Sequence, residues 1–316
     1  MDAAIIVQKG KRKMRSPARL SAFALALLLC LSSVLPALAD VPVVFMKDDT
    51  SAPYETVEYV SASPFAPDAD TLKVDIVGIR QGDCIVVTCG GERMLVDGGE
   101  SFRFQAVTDY FADHGITRFD LFFLTHHHDD HIELQRRLVN HDFPVDRVMA
   151  PYDGTETAAT WRDYSSLLAQ KGIPVVTVRN GDEFTLGGAH LKVYRNEAPG
   201  LSVNAASTAL MVTFGEARIF LGADITGDSQ HVLAEKYGDE LDCDILKAFH
   251  HGNTPTVPEM LDALSPSLSV ITNNRSYTME NDRQLDRRDI PRYYITRTIH
   301  LETDGHTWFV WTEKMR

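Results

Sequence analysis

The chain has 316 residues with 31 basic and 44 acidic side chains, so its formal net charge is −13 at neutral pH. This acidic balance is the opposite of the basic surface that binds nucleic-acid phosphates, and we therefore expect no strong nucleic-acid binding. The length and the 44% content of hydrophobic residues suit one large domain.

The first 39 residues have the pattern of a secretory signal peptide. A basic stretch at residues 9–19 precedes an apolar run at residues 20–35, and Ala37 and Ala39 provide the small residues of a cleavage site. No twin-arginine pair is present, so we expect a secreted or periplasmic protein that uses the general secretory route. The alternative is an uncleaved membrane anchor, because the apolar run is nearly long enough to span a bilayer. No later stretch is long and apolar enough for a membrane span.

Residues 40–70 are rich in proline, serine, alanine and aspartate. They predict a lead-in segment with at most one short strand, Val41–Met46. From residue 71 to residue 316 the pattern is regular, which predicts a single domain.

Three cysteines follow the signal segment, namely Cys84, Cys89 and Cys243. Export permits disulfides, but an odd number leaves at least one thiol unpaired. Cys84 and Cys89 are five residues apart in a strand-like run, which places their side chains on opposite faces. We expect all three to be buried as small apolar residues, and a Cys84–Cys243 disulfide is the alternative.

Within this domain, short apolar runs bounded by turn residues predict strands, and apolar residues that recur at helical spacing predict helices. The predicted strands are Leu72–Ile79, Cys84–Thr88, Arg93–Val96, Asp120–Leu124, Arg147–Met149, Pro174–Val178, Glu183–Leu186, His190–Tyr194, Ala206–Phe214, Ala217–Leu221, Asp244–Phe249, Leu268–Thr272, Arg292–Thr298 and Thr307–Trp311. The predicted helices are Ser101–Asp113, Ile132–Asn140, Thr155–Lys171, Gly227–Tyr237 and Val257–Leu264. Hairpins followed by alternating strands and helices, twice over, predict an α/β fold in which two mixed β-sheets pack together with helices outside. The polar segment Asn273–Arg288 fits either a lid or a surface helix, and the sequence does not decide between them.

The most informative segment is Thr-His-His-His-Asp-Asp-His at residues 125–131. It follows a buried strand and precedes a helix, which predicts a loop at one end of a sheet. His126 and His128 alternate and can point the same way, while Asp130 and His131 can face a second position nearby. Imidazole and carboxylate groups suit Zn²⁺, and also Fe²⁺ or Mn²⁺. The alternative is a solvated, charged loop.

His126-x-His128-x-Asp130-His131 resembles the signature of the metallo-β-lactamase superfamily, and the likeness extends over residues 72–312. Further segments resemble the superfamily's other motifs in the same order, namely Val74–Gly78 with Gln81–Asp83, Leu95–Gly99, Asn204 with Ser207, Phe220–Asp224 and Leu246–Gly252. Several of these are similar to the branch that includes the hydrolase domain of DNA-uptake competence proteins and phosphorylcholine esterase. The resemblance implies an αββα sandwich, the metallo-β-lactamase fold.

The resemblance also implies a site with two divalent metal ions, taken as Zn²⁺ with Mn²⁺ or Fe²⁺ as alternatives. The implied ligands are His126, His128, Asp130, His131, Asp224 and His250. Asp130 and Asp224 are the predicted catalytic carboxylates, and Asp224 would bridge the two metals; alone, it could instead be a helix N-cap. His250 is preferred to His251 because the resemblance places the ligand at the first histidine of the pair.

Three further residues are predicted to lie behind the ligands or to face the substrate. Asp97 would orient a ligand imidazole, although a turn aspartate before two glycines is the alternative. His251 would support the site or face the substrate. Lys247 would contact an anionic group near the rim, or it would be a strand lysine that extends its amine to solvent.

One departure from the superfamily pattern concerns the first metal. Many members supply another histidine between the His-rich segment and the bridging aspartate. His141 and His190 are the histidines available there, and both are predicted to be structural. The first metal would then be held more weakly, or completed by Asp224 and solvent.

A second departure concerns the substrate. Ile132-Glu133-Leu134 replaces the usual glycine pair after the His-rich segment. This leaves the ligands untouched but changes how the next helix packs, so it bears on which substrate fits.

The sequence predicts a hydrolase that uses a metal-activated water, because two adjacent divalent ions lower the pKa of water and offset developing charge. The branch resemblance favours a phosphodiester-type substrate, either a small molecule or a component of the cell envelope. One alternative is a carboxylic ester or lactone hydrolase with the same site. Another is a metal-binding module without turnover.

Overall fold

The computed structural model describes residues 5–7, 43–45, 62–79, 82–152 and 156–314. Most of the predicted signal and lead-in segments therefore lie outside the described residues, as do Gln81 and Thr155 of the sequence predictions. No helix in these ranges is both long and apolar enough to cross a membrane.

Strands in the described ranges run from the N-terminal segment to the C-terminus. They are β1 (Ile5–Val7), β2 (Val43–Phe45), β3 (Leu72–Ile76), β4 (Cys84–Cys89), β5 (Glu92–Asp97), β6 (Leu121–Phe123), β7 (Val148–Ala150), β8 (Val175–Thr177), β9 (Glu183–Leu186), β10 (Ala189–Tyr194), β11 (Ala209–Phe214), β12 (Ala217–Leu221), β13 (Ile245–Lys247), β14 (Leu268–Ile271), β15 (Arg292–Tyr294), β16 (Thr298–Thr303) and β17 (Trp308–Glu313).

Helices in the same ranges lie between these strands. The α-helices are α1 (Phe104–Asp113), α2 (Asp129–Asn140), α3 (Ala159–Lys171), α4 (Gly227–Tyr237), α5 (Pro258–Leu264) and α6 (Met279–Asp286). Short 3₁₀ turns occupy Ser101–Arg103, Gly238–Leu241, Phe249–Gly252 and Arg275–Tyr277.

The strands form two mixed sheets. The larger sheet has the order β1-β2-β17-β16-β3-β4-β5-β6-β7-β8, and the smaller sheet has the order β15-β14-β13-β12-β11-β10-β9. In the larger sheet β5 to β8 are parallel, and in the smaller sheet β12 to β15 are parallel. The predicted α/β class with two mixed sheets is confirmed.

Three hydrophobic clusters hold four layers together. The first lies between the sheets and includes Val74 and Phe123 of the larger sheet and Leu210 of the smaller one. The second packs the outer face of the larger sheet against α1, α2 and α3. The third packs the outer face of the smaller sheet against α4, α5 and α6. Each sheet thus buries both faces, and the layers follow the order helix, sheet, sheet, helix.

The cysteines follow their strand positions. Cys84 belongs to the cluster beneath the helices of the larger sheet, whereas Cys89 lies between the sheets, so the predicted opposite faces are confirmed. Cys243 is buried in the third cluster. All three are buried, and the alternative Cys84–Cys243 disulfide is absent among the described residues.

Two C-terminal predictions change in the structure. The single predicted strand Arg292–Thr298 is divided, because β15 pairs with β14 in the smaller sheet and β16 pairs with β3 and β17 in the larger one. The open segment Asn273–Arg288 contains α6, whose Leu285 is fully buried in the third cluster. This helix therefore packs against the smaller sheet.

Candidate metal centre

The candidate ligands gather where parallel strands of both sheets end. In the larger sheet Asp97 is the last residue of β5, and the His-rich segment follows β6. In the smaller sheet Asp224 follows β12, and the pair His250–His251 follows β13. Carboxyl ends of parallel strands share one edge of a sheet, and the packing of the two sheets brings these edges together.

Four overlapping groups of possible donors lie there, of which two contain Asp83 and the other two contain two histidines each. The His126 group consists of His126, His128 and Asp224, and the His131 group consists of Asp130, His131 and His251. In each group, one ligand atom of every member lies within 4.8 Å of the others. His-rich sets with one carboxylate each are typical of Zn²⁺ sites and also suit Fe²⁺ or Mn²⁺.

In the His126 group, two imidazoles converge. His126 Nε2 lies 3.1 Å from His128 Nδ1 and 3.7 Å from Asp224 Oδ2. On its other side His126 Nδ1 donates to Thr125 Oγ1 at 3.0 Å, and this hydroxyl donates to Asp97 Oδ2 at 2.7 Å. The Nε2 atom of His126 therefore presents its lone pair towards His128 and Asp224.

In the His131 group, the Nδ1 atoms of both imidazoles contact carboxylates directly. His131 Nδ1 donates to Asp97 Oδ2 at 2.6 Å, and His251 Nδ1 lies 3.2 Å from Asp83 Oδ1. The two Nε2 atoms then face each other at 3.2 Å. Neutral imidazoles that donate through Nδ1 carry only lone pairs at Nε2. Two such lone pairs repel each other, so this contact requires a proton or a metal ion at one of the two nitrogens.

Asp224 stands between the two groups. Its Oδ2 lies 3.4 Å from His131 Nε2, and its Oδ1 lies 3.4 Å from His251 Nε2. The side chain is almost fully buried, and Oδ1 has no hydrogen-bond partner among the described residues. An unpartnered buried carboxylate oxygen is costly, and a bound cation would satisfy it.

The buried carboxylates of the site favour positive charge on its histidines. Burial lowers the pKa of His131, but the carboxylates of Asp224 and Asp97 outweigh it and raise the pKa to about 10. Burial likewise opposes the charged form of His251, yet Asp224 and Asp83 hold its pKa well above the ordinary value. Burial favours the neutral acid at Asp224, but His251 and His131 keep its pKa well below the usual range. Asp224 is therefore ionised, and protons occupy nitrogen positions where metal ions would otherwise bind.

Backbone strain is concentrated at this edge. Asp97 (φ 52°), Ala223 (φ 47°), His250 (φ 48°) and His251 (φ 56°) all have left-handed conformations. Such residues cost on the order of 1–3 kcal/mol each, and they persist where the surrounding packing fixes them. These left-handed residues direct their side chains away from the simple alternation between two faces that a regular strand would give.

The protein-family model described as the Beta-lactamase superfamily domain matches residues 92–271, which is more than half of the chain. This range includes the His-rich segment, Asp224 and the His250–His251 pair. The chain belongs to the metallo-β-lactamase superfamily. No curated protein sequence gives a significant match.

Solved structures share the metallo-β-lactamase fold. The metallo-β-lactamase-fold protein YhfI from Bacillus subtilis aligns with a TM-score of 0.50 and 14% identity, over 77% of this chain and 100% of that chain. CmlA, a diiron β-hydroxylase from Streptomyces venezuelae, aligns with a TM-score of 0.47 and 18% identity, over 74% of this chain and 54% of that chain. A metallo-β-lactamase with a HARLDQ motif from Cronobacter sakazakii (Enterobacter sakazakii) aligns with a TM-score of 0.44 and 14% identity, over 68% of this chain and 92% of that chain. This superfamily chain spans about half of the length of the hydroxylase.

The superfamily resemblance predicted His250 as the ligand, but the structure places His251, and not His250, in a donor group with Asp130 and His131. His251 Nε2 lies 3.6 Å from Asp130 Oδ2 and belongs to the His131 group. His250 Nε2 is 3.7 Å from Asp224 Oδ2 but also faces Asn204 Nδ2 at 3.3 Å. His250 is a member of neither donor group. The left-handed pair of residues turns the second imidazole inward and leaves the first at the mouth of the site.

Lys247 also differs from its prediction. It is fully buried at the end of β13 and forms an ion pair with Asp83, so it neither reaches solvent nor faces an anion at the rim. Sequence reasoning missed Asp83 as a site residue, although it belongs to the Gln81–Asp83 motif. A Gly-Asp pair directly before a buried strand was the available signal.

The other histidines lie outside both donor groups. His190 is exposed and pairs with Glu183 at 3.1 Å, and the ring of His141 packs against Phe104. The structural roles predicted for both fit these contacts. His300 is buried in an ion pair with Asp75 at 2.7 Å.

A cavity of about 660 Å³ opens beside His127, the histidine between His126 and His128. Tyr152, Glu156, Arg179 and Arg195 are among its lining residues. His127 Nδ1 lies 3.1 Å from Tyr152 Oη and 3.8 Å from Glu156 Oε2. The cavity thus borders the metal-binding loop and carries two cationic side chains and one carboxylate.

Arg195 bridges two walls of this cavity. Its guanidinium donates to Pro151 O and to Ala206 O, both at 3.1 Å. Both acceptors are neutral carbonyls, and the buried Nε has no hydrogen-bond partner among the described residues. The positive charge of Arg195 is therefore not neutralised by a hydrogen-bonded carboxylate, which favours an anionic group in the cavity.

Proposed function

We propose that this chain is a metal-dependent hydrolase that acts on a phosphodiester-type substrate with two divalent metal ions. The observation that carries the proposal is the convergence of two donor groups on Asp224, with facing imidazole nitrogens and a buried carboxylate oxygen that has no hydrogen-bond partner among the described residues. These features are costly without cations and are satisfied by them.

The donor chemistry assigns the ligands. His126 and His128 would hold one ion, Asp130, His131 and His251 would hold the other, and Asp224 would contact both. Nitrogen donors outnumber carboxylates in this set, which favours Zn²⁺ over Mn²⁺, with Fe²⁺ as a further candidate. His250 would lie at the mouth of the site with Asn204, facing the substrate.

Two such ions would lower the pKa of a water molecule towards neutrality and polarise a phosphoryl or carbonyl oxygen. The protein's own residues supply orientation. Asp97 fixes the Nδ1–H of His131 directly and that of His126 through Thr125. The half-exposed Asp130 faces both the His131 group and solvent, so its carboxylate can hold a reacting water in place.

The cavity beside His127 supports an anionic substrate. Arg195 and Arg179 lie in its lining, and Arg195 forms its hydrogen bonds with neutral carbonyls. A phosphodiester would place its phosphate at the metals, and a negatively charged substituent of the phosphodiester would match the arginine-lined cavity. The motif resemblance to the competence-protein and phosphorylcholine-esterase branch supports the same substrate class. The basic and apolar pattern of residues 1–39 supports export, where small-molecule or cell-envelope phosphodiesters would be met.

The test is a substrate panel measured with protein of known metal content. It compares an aryl phosphodiester, aryl phosphorylcholine, an aryl carboxylic ester, a lactone and a chromogenic cephalosporin. We expect hydrolysis of a phosphodiester by the protein with two metal equivalents, and its loss in His126→Ala and Asp224→Ala. His190→Ala is the matched control, because His190 is exposed and outside both donor groups.

Two outcomes would overturn the proposal. Hydrolysis of only the ester or the lactone would move the function to the carboxylic-ester alternative. Two bound metals with no turnover of any substrate would identify a metal-binding module.

A further inference from the structure

Asp83 connects the two sheets directly behind the metal centre. It precedes β4 of the larger sheet, and its partners belong to the smaller sheet. Asp83 Oδ2 accepts from Lys247 Nζ, and Oδ1 accepts from Thr272 Oγ1 at 2.8 Å and lies 3.2 Å from His251 Nδ1. These four side chains are almost fully buried. Both carboxylate oxygens are therefore occupied by donors on the side away from the ligand nitrogens.

This network fixes the orientation of His251. Thr272 donates its proton to Asp83, so Thr272 Oγ1 can only accept from His251 Nδ1, at 2.9 Å. With Nδ1 as the donor, the Nε2 of His251 faces His131 as a lone pair. Asp83 thus does for His251 what Asp97 does for His131.

Lys247 makes this arrangement possible. A lone buried carboxylate is costly, and an adjacent buried ammonium group offsets that cost. The Lys247 ammonium also occupies Asp83 Oδ2, which would otherwise be free to bind a metal. The ion pair therefore leaves Asp83 as a hydrogen-bond acceptor for His251.

The His126 group has less support. His126 Nδ1 reaches a carboxylate only through the hydroxyl of Thr125. His128 is half-buried, and the hydrogen bond described for it is the one to His126. Outer carboxylates that hold ligand imidazoles typically contribute roughly 10- to 100-fold to metal affinity. The His131 group has two of them in direct contact, whereas the His126 group has none.

We propose that Asp83 and Lys247 are positioning residues that make the His131 group the higher-affinity metal site, so that the two metal ions bind in a fixed order. The first ion enters between Asp130, His131 and His251. The second enters at His126 and His128 and is the one more easily lost. This inference rests on the proposed two-metal function and adds an order of binding and two residues to it.

The order is tested by titrating metal-free protein with Zn²⁺ against a chromophoric chelator, with bound metal counted after dialysis. Wild-type protein should show a tight and a weak step. His128→Ala should keep one tight equivalent, and His251→Ala should lose the tight step. Two equal steps in the wild type, or loss of the tight step in His128→Ala, would overturn the order.

The positioning role is tested with Asp83→Asn and with the double variant Asp83→Asn/Lys247→Met. The double variant removes both buried charges, so it remains informative where the single variant fails to fold. We expect roughly 10- to 100-fold weaker binding in the tight step and an unchanged weak step. The matched control is Asp75→Asn, which also removes a buried aspartate that pairs with a histidine and lies near a lysine. It should reduce stability and leave both metal affinities unchanged.

Unchanged tight binding in the double variant, or equal losses in Asp75→Asn, would overturn the positioning role. These outcomes are separate from a failure of the proposed function. If wild-type protein bound no metal, the two-metal hydrolase itself would fall. If wild-type protein bound two ions and hydrolysed its substrate but the ions did not bind in the expected order, only this inference would be overturned.

Discussion

His131 and His300 are both buried in the half of the molecule that contains the larger sheet, and each donates a hydrogen bond to a buried aspartate. Only His131 is a metal-ligand candidate. His131 donates to Asp97 at 2.6 Å, and His300 donates to Asp75 at 2.7 Å. Both imidazoles are almost fully buried. Burial and a carboxylate partner therefore do not distinguish a metal-ligand candidate from a structural ion pair.

The second ring nitrogen makes the difference. His300 Nε2 lies 3.2 Å from Glu313 Oε2, so both of its nitrogens can donate to carboxylates and the imidazolium ion is satisfied. His131 Nε2 instead faces another imidazole nitrogen at 3.2 Å and the buried Asp224. Only the second arrangement brings two imidazole nitrogens and a buried carboxylate oxygen to one point, as a metal site requires.

The largest effect is expected for His131→Ala. Loss of this ligand removes the higher-affinity ion and with it several kcal/mol of transition-state stabilisation, so activity should fall at least about a thousandfold. Steady-state hydrolysis of a phosphodiester and the metal content of the purified variant measure this. Near-wild-type activity at full metal loading would remove His131 from the ligand set.

His300→Gln should affect stability without affecting the metal centre. Removing one partner of a buried ion pair leaves the buried Asp75 facing the partly exposed Lys73 at 3.6 Å, which costs about 3 kcal/mol in the free energy of unfolding. Urea unfolding measures the loss, and metal content should remain that of the wild type. A variant that lost metal but kept its stability would reverse the contrast between the two histidines.

Asp97→Asn should produce a smaller change at the metal centre. The amide keeps the shape but weakens the acceptor that fixes His131, so we expect roughly 10- to 100-fold weaker metal binding. Zn²⁺ titration of the metal-free variant measures it. Equal affinity in the variant and wild type would show that packing alone orients the imidazole.

The smallest effect is a pH dependence of stability at the His300 pair. Burial opposes protonation of His300, but Asp75 outweighs it and raises the pKa of His300. Asp75 has its pKa lowered to about 2, because His300 and Lys73 outweigh the effect of burial. The contribution of the pair is therefore full between the ordinary pKa values of the two groups. It is lost as the pH rises through the raised pKa of His300, and also as the pH falls towards 2.

Unfolding measurements across pH test this sign. The difference in unfolding free energy between wild type and His300→Gln should be largest in mildly acidic solution and should shrink in alkaline solution. A difference that grew with pH would mean that His300 is buried in its neutral form.

Local patterns in the sequence determined most of the secondary structure and the position of the metal-binding loop. Short apolar runs bounded by turn residues indicated strands such as Cys84–Thr88, which the structure extends to Cys89. The His-rich segment at residues 125–131 was evident because imidazoles and carboxylates are concentrated there, although it was predicted as a loop and its last three residues form the first turn of α2. The break between β15 and β16 was not evident, because a short apolar run does not show which sheet each half joins.

Only the tertiary structure decided which side chains complete the site. The choice between His250 and His251 depends on two consecutive left-handed residues, and nothing in the local pattern specifies those backbone angles. The pairing of Lys247 with Asp83 joins residues 164 positions apart on different sheets. Such contacts arise from the packing of one sheet on the other, so sequence spacing identifies the candidate ligands and the fold selects among them.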